Sequence, residues 1–297
     1  RIHMNKKNFI KFFLKKFFNL IKNNSENVLN QLYKLPFLEK PLPEKCSISN
    51  IDAINKSIYL NLHRKAIKKE NPKVTEFEKK IGFSIDKDWF NDISLITQTT
   101  IKNSQLNFNH GRLLYSLVSK YIKNSLKKDF NNLTILETGT ARGFSSLCMS
   151  KAINDLKARG KVITIDCISH NKKMYWGCIS DFNGEKTREE LLSKWNKELS
   201  NIVFIHGWTK ETLRKLGLNR IHFAFLDAQH TKIAVLEEFE FINKRQKKGD
   251  IVFFDDVTPN VFEGVCDAVK EIEINYPYRI EYLPFDINRS YAIATKI

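Results

Sequence analysis

Apolar residues recur along this chain in two rhythms. Short solid runs have the length of strands covered on both faces: Ile135-Leu136, Val162-Ile163-Thr164-Ile165, Ile202-Val203-Phe204-Ile205, Ile221-His-Phe-Ala-Phe-Leu226 and Asp250-Ile-Val-Phe-Phe254. Between them the period lengthens to that of a helix, as in Phe144, Leu147, Cys148 and Ile153 behind the first run. Residues 109–124 predict an amphipathic helix ahead of that run, and Arg279–Phe285 and Tyr291–Ile297 predict two closing strands. Strand runs alternating with helical stretches predict an α/β protein built on a mostly parallel sheet.

The first third of the chain has a different texture. From Lys6 to Lys22 a helical period gathers Phe9, Ile10, Phe13, Leu14, Phe17, Leu20 and Ile21 on one face and Lys7, Lys11, Lys15 and Lys22 on the other. That pattern suits a helix lying in a membrane interface, and equally one packed on protein. Its lysines interrupt every apolar run well short of the ~20 residues a span needs, and they leave no clean core for a signal peptide. Residues 1–4 read as a remnant ahead of a natural start at Met4, residues 36–48 as a proline-marked linker, and residues 50–82 as a basic helical stretch ending at Gly82. The expected division is a basic helical region over 1–85, with its amphipathic helix at 5–22, and a catalytic domain over 86–297.

Charge follows this division. Residues 1–80 hold 18 Lys+Arg against 7 Asp+Glu, a net +11 of the +16 carried by all 297 residues. Five cysteines without C-x-x-C spacing indicate neither a zinc site nor a disulfide framework, and favour a reducing, cytoplasmic setting, peripheral at the inner face of the membrane if residues 5–22 rest there.

Chemistry concentrates where strands end. Thr134-Ile-Leu-Glu-Thr-Gly-Thr-Ala-Arg-Gly143 reads as a strand entering a glycine turn before a helix, the place where an α/β protein holds a nucleotide-like cofactor. The third glycine of a dinucleotide site is missing, and Glu137 would repel a pyrophosphate while suiting the ammonium of an amino-acid-bearing cofactor. The second run ends in Asp166, able to accept two ribose hydroxyls. Here the chain resembles the class I S-adenosylmethionine-dependent methyltransferases, whose first motif is E-x-G-x-x-x-G and whose second strand ends in an acid. The resemblance covers roughly residues 105–297. It implies a doubly wound, Rossmann-like, seven-stranded sheet, with S-adenosyl-L-methionine held by Glu137, Gly139, Thr140, Arg142, Gly143, Asp166, Trp208 and Asp227. Trp208, in the turn after the third strand, would cover the adenine. Arg142 would meet the cofactor carboxylate or stand as a solvated loop charge.

Two further strand candidates end in Asp227-Ala-Gln-His230 and Asp255-Asp256. Carboxyl ends of neighbouring parallel strands face one crevice, so three carboxylates can converge there, and oxygen ligands in that number fit Mg²⁺ or Mn²⁺. The arrangement resembles the metal-dependent O-methyltransferases of the catechol and the sugar and antibiotic types. That resemblance implies Asp227, Asp255 and Asp256 as metal ligands and His230 as general base, with Asp227 also at the reaction centre. The insertion Ser169–Gly177, mixing aromatic and basic groups, reads as a wall of the acceptor pocket or as a surface loop tied down by Trp176. The expected function is methyl transfer to a hydroxyl of a sugar, a polysaccharide or glycolipid precursor, or another small polyol. The expected partners are that small-molecule or glycan acceptor, an anionic membrane through residues 5–22, and a second copy of the chain. Two other readings stand beside it: an RNA or protein methyltransferase, prompted by the charge but lacking a recognised RNA-binding motif, and a catalytically silent cofactor-binding scaffold.

Overall fold

The computed structural model describes residues 55–69, 71–102, 105–125, 132–286 and 289–297. Residues 1–4, the segment 5–22 expected to form an amphipathic helix, the expected linker 36–48 and Cys46 lie outside the described residues.

The described residues open with three helices: α1 (Lys56–Lys68), α2 (Pro72–Ile81) and α3 (Lys87–Thr97). Each starts on a side chain that accepts a backbone N–H, from Asn55, Asn71 and Asp86 respectively. Pro72 occupies the first turn of α2, where its missing donor is harmless, and Gly82 closes that helix at φ 87°. The longer α4 (Asn109–Ser125) leads into β1 (Leu133–Thr138), α5 (Phe144–Asp155) and β2 (Gly160–Asp166). Two short helices follow, α6 (Arg188–Leu192) and α7 (Asn196–Leu199), then β3 (Ile202–His206), α8 (Thr209–Lys215), β4 (Phe223–Leu226), α9 (Lys232–Asn243), β5 (Ile251–Phe254) and α10 (Glu263–Asn275). An antiparallel pair ends the chain, β6 (Tyr278–Asp286) and β7 (Arg289–Lys296).

The seven strands form one sheet in the order β3-β2-β1-β4-β5-β7-β6, with β7 antiparallel to both of its neighbours and the others parallel. This is the doubly wound arrangement expected from the sequence. Side chains along β4 alternate between the two faces: Phe223 and Phe225 enter the core under α2 to α5, whereas Ala224 and Leu226 enter the one under α9 and α10. Val74 and Phe77 of α2 belong to the first of these cores, so the helices before residue 85 pack against the sheet domain's own helices. Among the described residues no helix is long and apolar enough to cross a membrane.

The register sets the site. Thr138 is level with Ile165 and with Leu226, and Leu226 is level with Phe254. The residues that follow, Gly139, Asp166, Asp227 and Asp255, therefore emerge side by side. The strand order reverses between β1 and β4, where an open sheet leaves its ligand crevice.

Candidate active site

The turn after β1 is built on close contact. Gly139 has φ 88°, and a Cβ there would lie 2.0 Å from the carbonyl oxygen of Asp227, so the turn rests directly on the end of β4. Ala141 takes φ 45° without being glycine, a conformation costing roughly 1–2 kcal/mol. It is held there from both sides. Its N–H donates to Asp166 Oδ2 at 2.6 Å, and its carbonyl accepts from Arg188 Nε at 2.9 Å.

Beneath the turn, Glu137 is fully buried and accepts from the hydroxyls of Ser145 and Ser146 at the start of α5. Burial pushes its pKa up to about 7, while the hydroxyls act against the rise. The carboxylate thus ties α5 to β1. Thr140 is buried as well, its hydroxyl 2.5 Å from that of Thr164. Asp166 also accepts from the Ile168 N–H at 2.7 Å, and each of its oxygens keeps a second lone pair for a ribose hydroxyl.

Arg142 is buried, which removes the reading of a solvated loop charge. Its Nε donates to the Trp176 carbonyl at 2.6 Å and its Nη1 to the Thr97 carbonyl at 3.4 Å. Trp176 is itself fully buried, its indole N–H donating to the Lys186 carbonyl at 2.8 Å, so it ties down the Ser169–Gly177 loop. Trp208 is half-buried at the cap of α8, next to the end of β3.

Acids gather at the ends of β4 and β5. His230 Nε2 lies 3.1 Å from Asp256 Oδ2 and 3.7 Å from Asp227 Oδ1. Ligand atoms of Asp227, His230 and Asp256 all fall within 4.8 Å of one another. Adjacent ligands of an octahedral ion at 2.0–2.1 Å stand about 3 Å apart, so the three side chains would draw together to hold a divalent cation. Asp255 is turned differently: it is buried, its Oδ1 accepts the Asp256 N–H at 2.7 Å, and it lies outside the trio. Desolvation in the crowded cluster raises the pKa of both Asp227 and Asp255. Hydrogen bonding to the two carboxylates raises His230 to about 10. Asp256 sits at φ 56°, a second strained residue at the crevice.

Three residues here were not singled out in the sequence. Arg289, at the start of β7, pairs with Asp256 and lies 3.5 Å from Asp255. Arg188 is buried with its guanidinium over the Trp176 and Phe204 rings, at 5.4 and 5.7 Å. Glu238 is buried in α9 and accepts from Thr138 Oγ1 at 2.7 Å, and burial pushes it up to about 8. The T-x-x-E capping box at Thr187 and Glu190 signals a helix start at Arg188. No sequence signal marks the burial of these charges.

Comparison with known proteins bears on the fold and the domain. Residues 136–257 match the family model described as a methyltransferase domain, a span that runs from β1 past β5 and includes the glycine turn, Asp166, Asp227 and the Asp255-Asp256 pair. The fold matches that of the O-methyltransferase TomG from Streptomyces achromogenes in complex with SAM, at 16% identity and TM-score 0.50, over 72% of this chain and 92% of that one. It also matches cofactor-bound Rv0187 from MTB, at 12% identity and TM-score 0.50, over 71% of this chain and 90% of that one. No curated protein sequence matches the chain.

Proposed function

We propose that this chain is an S-adenosylmethionine-dependent methyltransferase, a reading supported by the methyltransferase-domain match over residues 136–257 and the shared fold, and that it is a divalent-metal-dependent O-methyltransferase acting on a hydroxyl of a sugar or similar polyol. The observation that carries this reading is the convergence of Asp227, His230 and Asp256 beside the glycine turn. Gly139 touches the Asp227 backbone, so a methyl donor on the turn and an acceptor on the acids would be neighbours. TomG, which shares the fold, is an O-methyltransferase.

In this reading the chain's residues divide the work. The turn held by Glu137 and Asp166 fixes the donor, and Asp166 meets its ribose. Asp227 and Asp256, with His230 or Asp255, would hold the cation. When bound, such a cation lowers the pKa of an acceptor hydroxyl and draws off the carboxylates that keep His230 protonated. Where Asp255 rather than His230 completes the ligand set, His230 keeps its Nε2 lone pair and, neutral, takes the hydroxyl proton. The acceptor oxygen then forms a bond to the methyl carbon as the carbon–sulfur bond breaks, and the sulfur keeps the electron pair. Arg289 balances the acids. Positioning of donor and acceptor supplies much of the rate.

Methyl transfer from radiolabelled S-adenosylmethionine to a panel of sugars and polyols tests the reading. Chelator should abolish transfer, and Mg²⁺ or Mn²⁺ should restore it. An imidazole ligand suits transition metals more than Mg²⁺, so Mn²⁺ should restore more if His230 ligates. Full turnover in chelator would remove the metal from the mechanism.

A further inference from the structure

A small cavity of about 10 Å³ lies behind the acids, lined by Asp227, His230, Glu238 and Asp255 and otherwise mainly by apolar groups. That is room for about one water. Three of its four titratable residues belong to the reaction centre already described. The fourth, Glu238, has no part in the reaction scheme, although it brings a carboxyl group into the interior at 4% exposure. Its placement follows from the end of β1. Thr138 accepts the Asp227 N–H on its carbonyl at 2.9 Å and donates its hydroxyl to Glu238 Oε2 at 2.7 Å. One residue thus holds both the backbone of a cation ligand and the side chain of the buried acid. Glu238 Oε1 has no hydrogen-bond partner among the described residues.

We infer, on the basis of the metal-dependent reading above, that Glu238 is a positioning residue of the cation site, joined through one water in this cavity to the carboxylates of Asp227 and Asp255. Burial favours the protonated carboxyl, and a protonated carboxyl is a donor. The carboxylates that share the cavity are acceptors, and a water between them can take the Glu238 proton donor and offer one O–H to each aspartate. Bonded from behind, the two carboxylates lose rotational freedom and part of their mutual repulsion, and their remaining oxygens stay turned to the crevice. Partners that hold ligating carboxylates in this way contribute roughly 10–100-fold to metal affinity.

Calorimetry of Mn²⁺ binding to the full chain, with S-adenosylhomocysteine present, tests this in three variants. Glu238→Leu fills the cavity and Glu238→Ala enlarges it, and both remove the donor; each should weaken Mn²⁺ binding by roughly tenfold or more. Glu238→Gln keeps an acceptor for Thr138 and an N–H for the water, and should stay within about threefold of the parent. Binding of S-adenosylhomocysteine within about twofold of the parent shows that a variant is folded, since Glu238 is no part of the cofactor seat. Parent-like Mn²⁺ binding in the leucine or alanine variant overturns the proposal, as does a loss in the glutamine variant as large as theirs. Loss of S-adenosylhomocysteine binding in both truncated variants overturns it too, by making Glu238 a residue of the fold alone. A parent that binds S-adenosylhomocysteine and no Mn²⁺ strikes the metal reading itself, and this inference with it.

Discussion

The two halves of the crevice solve opposite problems. On the β1 and β2 side the acids are spoken for: Glu137 is bonded by two hydroxyls, and Asp166 by two backbone N–H groups. On the β4 and β5 side Asp227, Asp255 and Asp256 crowd together, in contact with His230 and Arg289. The first half is wired by hydroxyl and backbone donors, with the buried Arg188 guanidinium 4.0 Å from Asp166, and is ready for an uncrowded ligand. The second stores unlike charges that a cation can rearrange. A cofactor needs a fixed seat, whereas the reaction centre needs groups whose protonation changes on loading.

Four experiments break or sharpen that contrast. The largest effect should come from Gly139→Ala, which forces a Cβ into the Asp227 carbonyl and strains a φ of 88°. Loss of roughly 3 kcal/mol or more in a denaturation experiment is expected, with S-adenosylmethionine binding lost, because the substitution drives the halves apart. Unchanged stability would mean that the turn does not rest on β4. Next, Asp166→Ala should weaken S-adenosylmethionine binding by roughly 1–3 kcal/mol in calorimetry and leave metal affinity alone. A loss of metal binding in that variant would show the halves to be coupled.

Arg289→Gln acts on the other side. Removing the resident cation should enlarge the thermal stabilisation produced by Mn²⁺, since the ion no longer competes with a guanidinium for Asp256. An unchanged shift would place the ion away from that carboxylate. The smallest effect concerns pH. Glu238 is raised to about 8 in the fold, so the folded chain holds its proton where the unfolded chain has released it. Its contribution to stability is complete below the unfolded carboxylate range near 4.3 and is lost as pH rises through about 8. Glu238→Gln should therefore flatten the fall in denaturant midpoint between pH 5 and 8, and a slope identical to that of the parent would refute the assignment.

Much of this was legible in the chain because it follows from local rhythm. All seven strands and α4 stand where apolar runs and periodicity put them, and strand ends deliver Asp166, Asp227, Asp255 and Asp256 to one edge. What escaped was long-range compensation. Arg188 and Arg289 look like ordinary surface cations in sequence, and only the folded chain shows one stacked under aromatic rings and the other among aspartates. Side-chain direction escaped too: Asp255 and Asp256 are adjacent letters, yet only Asp256 joins Asp227 and His230. The resemblance singled out Glu137 for a cofactor ammonium, whereas its direction toward Ser145 and Ser146 depended on α5 docking over it.

The position of Arg289 also has a bearing on how the protein is made. It follows Asp256 by 33 residues, and β7 can pair with β5 only after β6 and the turn between them have been synthesised. The aspartates therefore gain their guanidinium only when the closing antiparallel pair has docked beside β5, and the last strand of the chain, rather than the strands that carry the acids, completes the charge balance of the crevice.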